Sequence, residues 1–221
     1  MLRPLKPLIL ICLIALGGCS TQVVVQETAI PDPLIAELPL SVGAKYPDVF
    51  DNFVHEEQVI GKDKWKIDLG RANRLLFDKL FSSMFTKYQV IEEGENPSDY
   101  GFDAFIEPSI DAFEFSVPEQ SQTDSFAVWI RYRIKVFDNA GTQIANWPIS
   151  AYGKSMTTTF GGDEALSKAA LLAMRDAAAL IIMQMDKSTG ISSLASLNSS
   201  AVPERPPALE TPVEEMSDDS G

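Results

Sequence analysis

Apolar side chains recur at every second position over residues 126–137. The apolar side chains occupy the even positions: Phe126, Val128, Ile130, Tyr132, Ile134 and Val136. Between them lie the basic residues Arg131, Arg133 and Lys135. A period of two is typical of a β-strand with one face in a core and the other in water. We therefore expect a sheet that is covered on one side only.

Period-two patterning also covers three further segments: residues 38–46, 102–117 and 145–151. The apolar set of the second segment changes phase near Pro108 or Ala112, which predicts a β-bulge there. Pro148 cannot donate to a strand ladder, so it favours an edge position or an irregularity for the last segment. Residues 47–67 fit a small hairpin that turns at Gly61-Lys62-Asp63.

Two segments follow the helical period instead. Apolar residues recur every three or four positions over residues 69–88, and an alanine-rich stripe spans residues 163–185. The element order is β-α-β-β-β-α, and the predicted fold class is α+β. We expect an antiparallel sheet with two helices packed on one face, flanked by a disordered linker and tail.

The composition divides the chain into four parts. We predict that residues 1–18 form a signal, residues 19–37 a polar linker with Pro31 and Pro33, and residues 38–185 the α+β domain. Residues 186–221 are rich in serine, proline and acidic side chains. Such a tail buries too little apolar surface to offset its ordering entropy, so we predict that it is disordered.

The first residues have the parts of a secretory signal. Arg3 and Lys6 are followed by an apolar run that ends at Leu16, with small residues before Cys19. The run is well short of the roughly 20 residues that cross a bilayer as a helix. Its end, Leu16-Gly17-Gly18-Cys19, resembles the lipobox of bacterial lipoproteins.

In that family the cysteine thiol receives a diacylglyceryl group, the preceding peptide is removed, and the new amino terminus is acylated. The resemblance therefore implies that Cys19 is the lipidation site, carrying fatty acyl chains such as palmitate. A serine at position 20, rather than aspartate, implies export to the outer membrane with the body in the periplasm. The order of elements is similar to that of small outer-membrane lipoproteins of the LptE and YajG type and of lipid-transporter auxiliary lipoproteins.

Charge and cysteine content exclude several classes of function. The chain has 18 basic and 31 acidic side chains and a formal net charge of −13, so phosphate backbones and anionic head groups repel it. We expect no nucleic-acid partner, and membrane association through the lipid alone. Cys12 lies in the signal and Cys19 would be consumed by the lipid, so no thiol remains for a disulfide or a zinc site.

The sequence contains no pattern that places catalytic groups together. Its one histidine, His55, lacks the second histidine of a metalloprotease helix. A serine nucleophile elbow and a phosphate-binding glycine loop are missing as well. We predict that the chain is not an enzyme and that it has neither a metal site nor a cofactor.

Two predicted strands carry charged residues of opposite sign, each set at even spacing along its strand. The acidic set is Asp103, Glu107 and Asp111, and the basic set is Arg131, Arg133 and Lys135. Two interpretations stay open for this face. Either the two sets form cross-strand ion pairs on a solvated surface, or the face docks a partner with Trp129 as the anchor.

These observations support two functional hypotheses. The first is a lipid-anchored, non-enzymatic outer-membrane lipoprotein that serves as an accessory or assembly subunit of an envelope complex. Its open sheet face or edge would contact an envelope protein or another copy of the chain. The alternative is a periplasmic binder that holds a lipid or glycan fragment between helices and sheet. Its motivation is the aromatic surplus of the first helix, which comprises Phe77, Phe81 and Phe85.

Overall fold

A computed structural model describes residues 20–25, 33–59, 63–92, 94–95, 97–156 and 161–201. Its strands are β1 Ser20–Val24, β2 Leu38–Ala44, β3 Val54–Val59, β4 Asp63–Asp68, β5 Phe85–Val90, β6 Ala104–Ser116, β7 Ser125–Asp138 and β8 Gln143–Met156. The longer helices are α1 Gly70–Met84, α2 Gly162–Asp186 and α3 Thr189–Ala201. Short helical turns lie at Asp48–Asp51, Pro97–Tyr100 and Pro118–Ser121.

The main sheet has five strands in the order β5-β2-β6-β7-β8. The strands β6, β7 and β8 are antiparallel, as their alternating sequences predict. However, β2 runs parallel to both β5 and β6, so the prediction of an antiparallel sheet is wrong and the sheet is mixed. The chain leaves β2, passes through α1 and returns as β5, and a helical crossover of this kind produces parallel neighbours.

A second sheet of three strands, in the order β1-β4-β3, packs beside the main one. Its β3–β4 pair is the hairpin predicted within residues 47–67. The strand β1 pairs in parallel with β4, from Ser20 opposite Lys64 to Val24 opposite Asp68. Residues 20–25 were predicted to belong to a linker, but Val23 and Val25 are buried in the core. The N-terminal end of the described chain is therefore part of the fold.

One face of the main sheet carries α1, α2 and the small sheet. The predicted bulge lies in β6 between Ile110 and Ala112. It inserts one residue, so Phe113 and Phe115 face the same core as the apolar residues before it. The Trp65 ring of β4 lies 6.1 Å from that of Phe115, which joins the small sheet to the main one.

The helix α2 matches the predicted segment 163–185 and lies against β8 and β7. Its contact stripe consists of alanines that are fully buried: Ala169, Ala170, Ala173 and Ala177. Gly153 of β8 faces this stripe so closely that a Cβ atom there would overlap main-chain atoms of Ala169 and Ala173. Small residues on both sides let the helix backbone approach the strand.

Two further elements differ from the predictions. The helix α1 ends at Met84, not at residue 88, and β5 begins at the next residue to pair with β2. Residues 189–201, predicted to be disordered, form α3, whose Ile191 is buried in the core. Residues 202–221 of the predicted tail lie outside the described residues. Within the described ranges, no helix is both long and apolar enough to cross a membrane.

A polar pair lies in the middle of the core. The Tyr132 hydroxyl of β7 donates to Oδ1 of Asn73 in α1 at 2.7 Å, and both residues are fully buried. Burial raises the pKa of Tyr132 well above its usual range, so the hydroxyl keeps its proton and remains a donor. In the described part of the chain, Nδ2 of Asn73 has no hydrogen-bond partner. This one bond therefore satisfies the Tyr132 hydroxyl and satisfies the Asn73 amide only in part.

We expect Tyr132→Phe to lower the free energy of unfolding by about 1–3 kcal/mol, because it leaves the buried Asn73 without its partner. Asn73→Leu should cost a similar amount, since it leaves the hydroxyl without an acceptor. The double variant removes both polar groups and should be close to the unmodified protein in stability. Urea unfolding measures all three, and additive losses in the double variant would contradict this account.

Candidate functional site

The face of the main sheet opposite the helices carries the predicted interaction residues. Trp129, Arg131, Arg133 and Lys135 occupy alternate positions of β7 and point away from the core. Their neighbours on β8 are the outward residues Asn146, Pro148, Ser150, Tyr152 and Lys154. The alternation in β7 therefore places the four residues together on one surface, as the sequence predicts.

Two of the three basic residues are ion-paired to β6. Arg133 bonds both carboxylate oxygens of Asp111, at 2.5 and 3.2 Å, and this contact raises the pKa of its guanidinium. Lys135 bonds Glu107, its direct cross-strand partner, at 3.2 Å. Cross-strand pairing is thus confirmed for these residues, which form an ordered charged strip.

Asp103 and Arg131, the other two residues of the predicted charge pattern, do not form cross-strand ion pairs in the described part of the chain. Oδ2 of Asp103, the residue before β6, accepts a hydrogen bond from the Ser41 amide of β2 at 2.7 Å, so this carboxylate connects the start of β6 to β2 instead of pairing with a cation. Arg131 lies opposite Ala112, because the bulge has shifted the register and no acidic residue faces it. Within the described residues, Arg131 and Lys154 have no ion-pair partner.

An exposed aromatic pair lies beside these unpaired cations. Trp129 and Tyr152 are direct neighbours across β7 and β8, with ring centroids 5.1 Å apart and planes at 45°. Each ring residue is 44% exposed. A shallow groove of about 330 Å³ runs along the pair, between Glu114 and Ser150. We call Trp129, Arg131, Ser150, Tyr152 and Lys154 the aromatic face.

The opposite end of the same sheet surface is covered. Phe102 contacts Phe105 of β6 edge-on at 6.0 Å, and Tyr100 stacks on Phe102 at 5.4 Å. Ile91 belongs to the same small apolar cluster, and Phe137 of β7 packs against it. The segment between β5 and β6 thus closes one end of the surface and leaves the aromatic face open.

Two features interrupt the free edge of β8. Pro148 has no amide hydrogen, and its edge position agrees with the sequence prediction. Four residues further on, the Tyr152 amide donates to Oδ2 of Asp176 in α2 at 3.0 Å. A strand that paired with this edge would find no amide donor at Pro148, and it would find the amide of Tyr152 already bonded to Asp176.

A polar cluster that the sequence did not predict lies at the other side of the molecule. Arg74 of α1 bonds Asp51 at 2.5 Å and Asp78 at 3.0 Å, and its guanidinium lies 4.1 Å from the centre of the Tyr46 ring. The Tyr88 hydroxyl donates to Asp78 at 2.6 Å. Burial raises the pKa values of both tyrosines and also that of Asp51.

This cluster connects α1 to the helical turn at Asp48–Asp51 and to β5. A groove of about 390 Å³ beside it is lined partly by Asp51, whose Oδ1 atom has no hydrogen-bond partner in the described part of the chain. The guanidinium of Arg74 and the carboxylates of Asp51 and Asp78 are otherwise bonded within the cluster, which favours a structural role for the cluster. The spacing of Arg74 and Asp78, an i,i+4 pair, was the only sequence signal for it.

Other residues singled out by the sequence have structural surroundings. Phe77 and Phe81 are fully buried, with ring centroids 5.6 Å apart, and Phe77 lies 5.3 Å from Tyr132. These rings fill the space between helix and sheet where a lipid or glycan fragment was expected. His55 packs against Phe113 at 5.0 Å and bonds Glu57 at 3.1 Å.

Cys19 lies outside the described residues, so its lipidation stays a prediction from the sequence. A search of the described side chains finds no group of three or more His, Cys, Asp or Glu that could hold a metal ion.

The sequence matches no known protein family. It also matches no curated protein.

Several solved structures are similar to the chain at low identity. Uncharacterized lipoprotein B from Nitrosomonas europaea is 15% identical with a TM-score of 0.37, over 73% of this chain and 95% of its own. A hypothetical protein from Chlamydia trachomatis is 11% identical with a TM-score of 0.39, over 69% and 98% of the two chains. A lipoprotein from Neisseria meningitidis is 12% identical with a TM-score of 0.29, over 77% and 100%. At these values no function is transferred to this chain.

Proposed function

We propose that this chain is a lipid-anchored outer-membrane protein that acts as a non-enzymatic accessory subunit of an envelope complex. The lipid on Cys19 holds the domain at the membrane, and the aromatic face binds a protein partner. The observation that carries the docking role is the half-exposed pair of Trp129 and Tyr152 on a sheet surface that the described helices leave uncovered.

The chemistry of the aromatic face fits a protein surface better than a small molecule. Tryptophan, tyrosine and arginine dominate the binding energy of protein interfaces, and all three side chains adjoin here. Both rings are rigid, so little side-chain entropy is lost when they are covered. The groove is only partly enclosed and would leave part of a small ligand exposed, whereas ligand pockets enclose most of their ligand's surface.

The charges of the aromatic face define the partner further. Arg131 and Lys154 flank the ring pair and have no ion-pair partner among the described residues. A partner surface with an apolar centre and carboxylates at its rim would complement both features. The interrupted edge of β8, at Pro148 and Tyr152, favours contact through the face over addition of a strand.

Photo-crosslinking in cells tests this proposal. With a benzophenone amino acid at position 152, we expect a covalent adduct between the full chain and one envelope protein. Adding Trp129→Ala should reduce the adduct at least about tenfold, because a central aromatic anchor contributes about 2 kcal/mol or more. Trp129 is partly exposed, so its removal should leave the fold intact.

Met183 provides the matched control. It is 49% exposed and lies on α2, on the other side of the sheet. A benzophenone at position 183 should give no such adduct, and Met183→Ala should leave the adduct from position 152 unchanged. Equal adducts from positions 152 and 183 would contradict the proposal, and so would an adduct composed of two copies of this chain.

A further inference from the structure

The strand β1 leaves almost no chain between the predicted lipidation site and the folded domain. It begins at Ser20, which is covalently bonded to Cys19. Neighbouring Cα atoms are about 3.8 Å apart, so Cys19 lies within one residue of the sheet. A flexible tether at this point, as the composition of residues 19–37 predicts, would need several unpaired residues.

Contacts on both of its edges hold β1 in place. On one side it pairs with β4 along its whole length, and the Val25 amide extends the ladder to Asp68 at 3.3 Å. On the other side the Ser167 hydroxyl of α2 donates to the Val24 carbonyl at 3.1 Å. The side chains of Val23 and Val25 are buried in the core. The strand that follows the predicted lipidation site is therefore an integral part of the domain.

The pairing of the small sheet defines a near end and a far end relative to the anchor. Ser20 lies opposite Lys64, which lies opposite Gln58 of β3, and this is the near end. At the far end, the partners of Asp68 are Val24 and Val54. At about 3.3 Å per residue, the strands separate the two ends by about 13 Å.

We propose that the three-stranded sheet stands on the lipid bilayer, with its near end at the level of the head groups and its far end directed away from them. The domain then has a fixed orientation at the membrane instead of hanging from a flexible linker. This inference rests on the lipidation of Cys19 in the proposed function, and it adds the lipid surface as a second contact of the protein.

The charges at the small sheet are compatible with close approach to lipid. The chain as a whole is strongly acidic, which opposes contact with anionic head groups. Glu56 of β3, however, is paired with Lys64 at 2.8 Å and with Lys66 at 3.6 Å. Lys64 is also 58% exposed, so its ammonium group can reach a lipid phosphate beside the anchor.

Fluorescence quenching on vesicles tests the orientation. A fluorophore is attached to Gln58→Cys or to Val54→Cys, two exposed positions at opposite ends of β3. The full-length lipidated protein is reconstituted into phosphatidylethanolamine–phosphatidylglycerol vesicles that contain a lipid with a quencher on its head group. We expect quenching at position 58 to exceed that at position 54 at least about twofold, given the separation along the strand.

The matched variant carries about ten glycine and serine residues between Cys19 and Ser20, a length that behaves as a flexible coil. Its quenching ratio should fall to about one, because the domain can then rotate freely. Equal quenching at both positions in vesicle-bound protein without the insertion would overturn the orientation and leave the lipid anchor standing. Failure of the purified protein to bind vesicles at all would overturn the anchor and the orientation together.

Discussion

Replacing Gly153 by valine is expected to lower the free energy of unfolding by about 3 kcal/mol or more, at the upper end of the cost of overpacking. The new Cβ atom would overlap main-chain atoms of Ala169 and Ala173, and it would lie 3.0 Å from the carbonyl carbon of Leu172. A side chain could rotate away, but a helix backbone cannot. The whole of α2 must therefore lift from β8, which separates its buried alanines from the sheet.

The neighbouring substitution Lys154→Val is the control. Position 154 points to solvent on the same strand, so valine there should change stability by no more than about 0.5 kcal/mol. Both substitutions introduce valine, which has a higher intrinsic strand preference than the residue it replaces. Only the valine at position 153 would contact α2. Urea unfolding of residues 20–221, monitored by tryptophan fluorescence, measures the difference. Similar midpoints for the two variants would mean that α2 does not approach β8 as closely as described.

The parts of the fold that the sequence predicted are those with local signals. The period-two pattern of residues 126–137 predicts one strand between a core and water, and β7 has this arrangement. The phase change in residues 102–117 predicts the bulge, which the structure has between Ile110 and Ala112. The alanine stripe of residues 163–185 predicts a helix close to the sheet, and α2 packs in this way.

The parts that were missed depend on partners distant in sequence. Phe85 and Tyr88 continue the helical period of α1, yet residues 85–90 pair with β2, more than forty positions earlier. The strand β1 is short and largely polar, and only its pairing with β4 shows that Val23 is a core residue. Neither pairing can be predicted from the local hydrophobic pattern, because the intervening chain determines which parallel strands become neighbours.

In the candidate site, too, local signals predicted some features, and features that depend on distant residues were missed. Alternation alone placed Trp129, Arg131, Arg133 and Lys135 on one face, but it could not show that only the last two have acidic partners. That outcome depends on the register shift at the bulge. Tyr152 was missed although a signal existed, since it falls out of phase with the apolar residues before it in β8. Extending the strand by one residue would have placed it beside Trp129.

Replacing Cys19 by serine is expected to abolish the mass that the acyl chains add to the protein and, because the preceding peptide is removed only after lipidation in lipobox proteins, to leave residues 1–18 attached. Each buried methylene of an acyl chain contributes about 0.8 kcal/mol, and two chains already anchor a protein stably. A hydroxyl in place of the thiol removes the atom to which the diacylglyceryl group is attached in lipobox proteins. The intact mass of the protein measures both effects.

Cys12→Ser makes the same chemical change seven residues earlier, inside the predicted signal, and should leave fractionation and mass unaltered. Cys19→Ser does not touch β1, so residues 20–201 should unfold at the same urea concentration as in the lipidated protein. This comparison separates loss of the anchor from loss of the fold. A Cys19→Ser protein that still carries the mass of the acyl chains would contradict the lipid anchor, and the orientation inferred for the small sheet would fail with it.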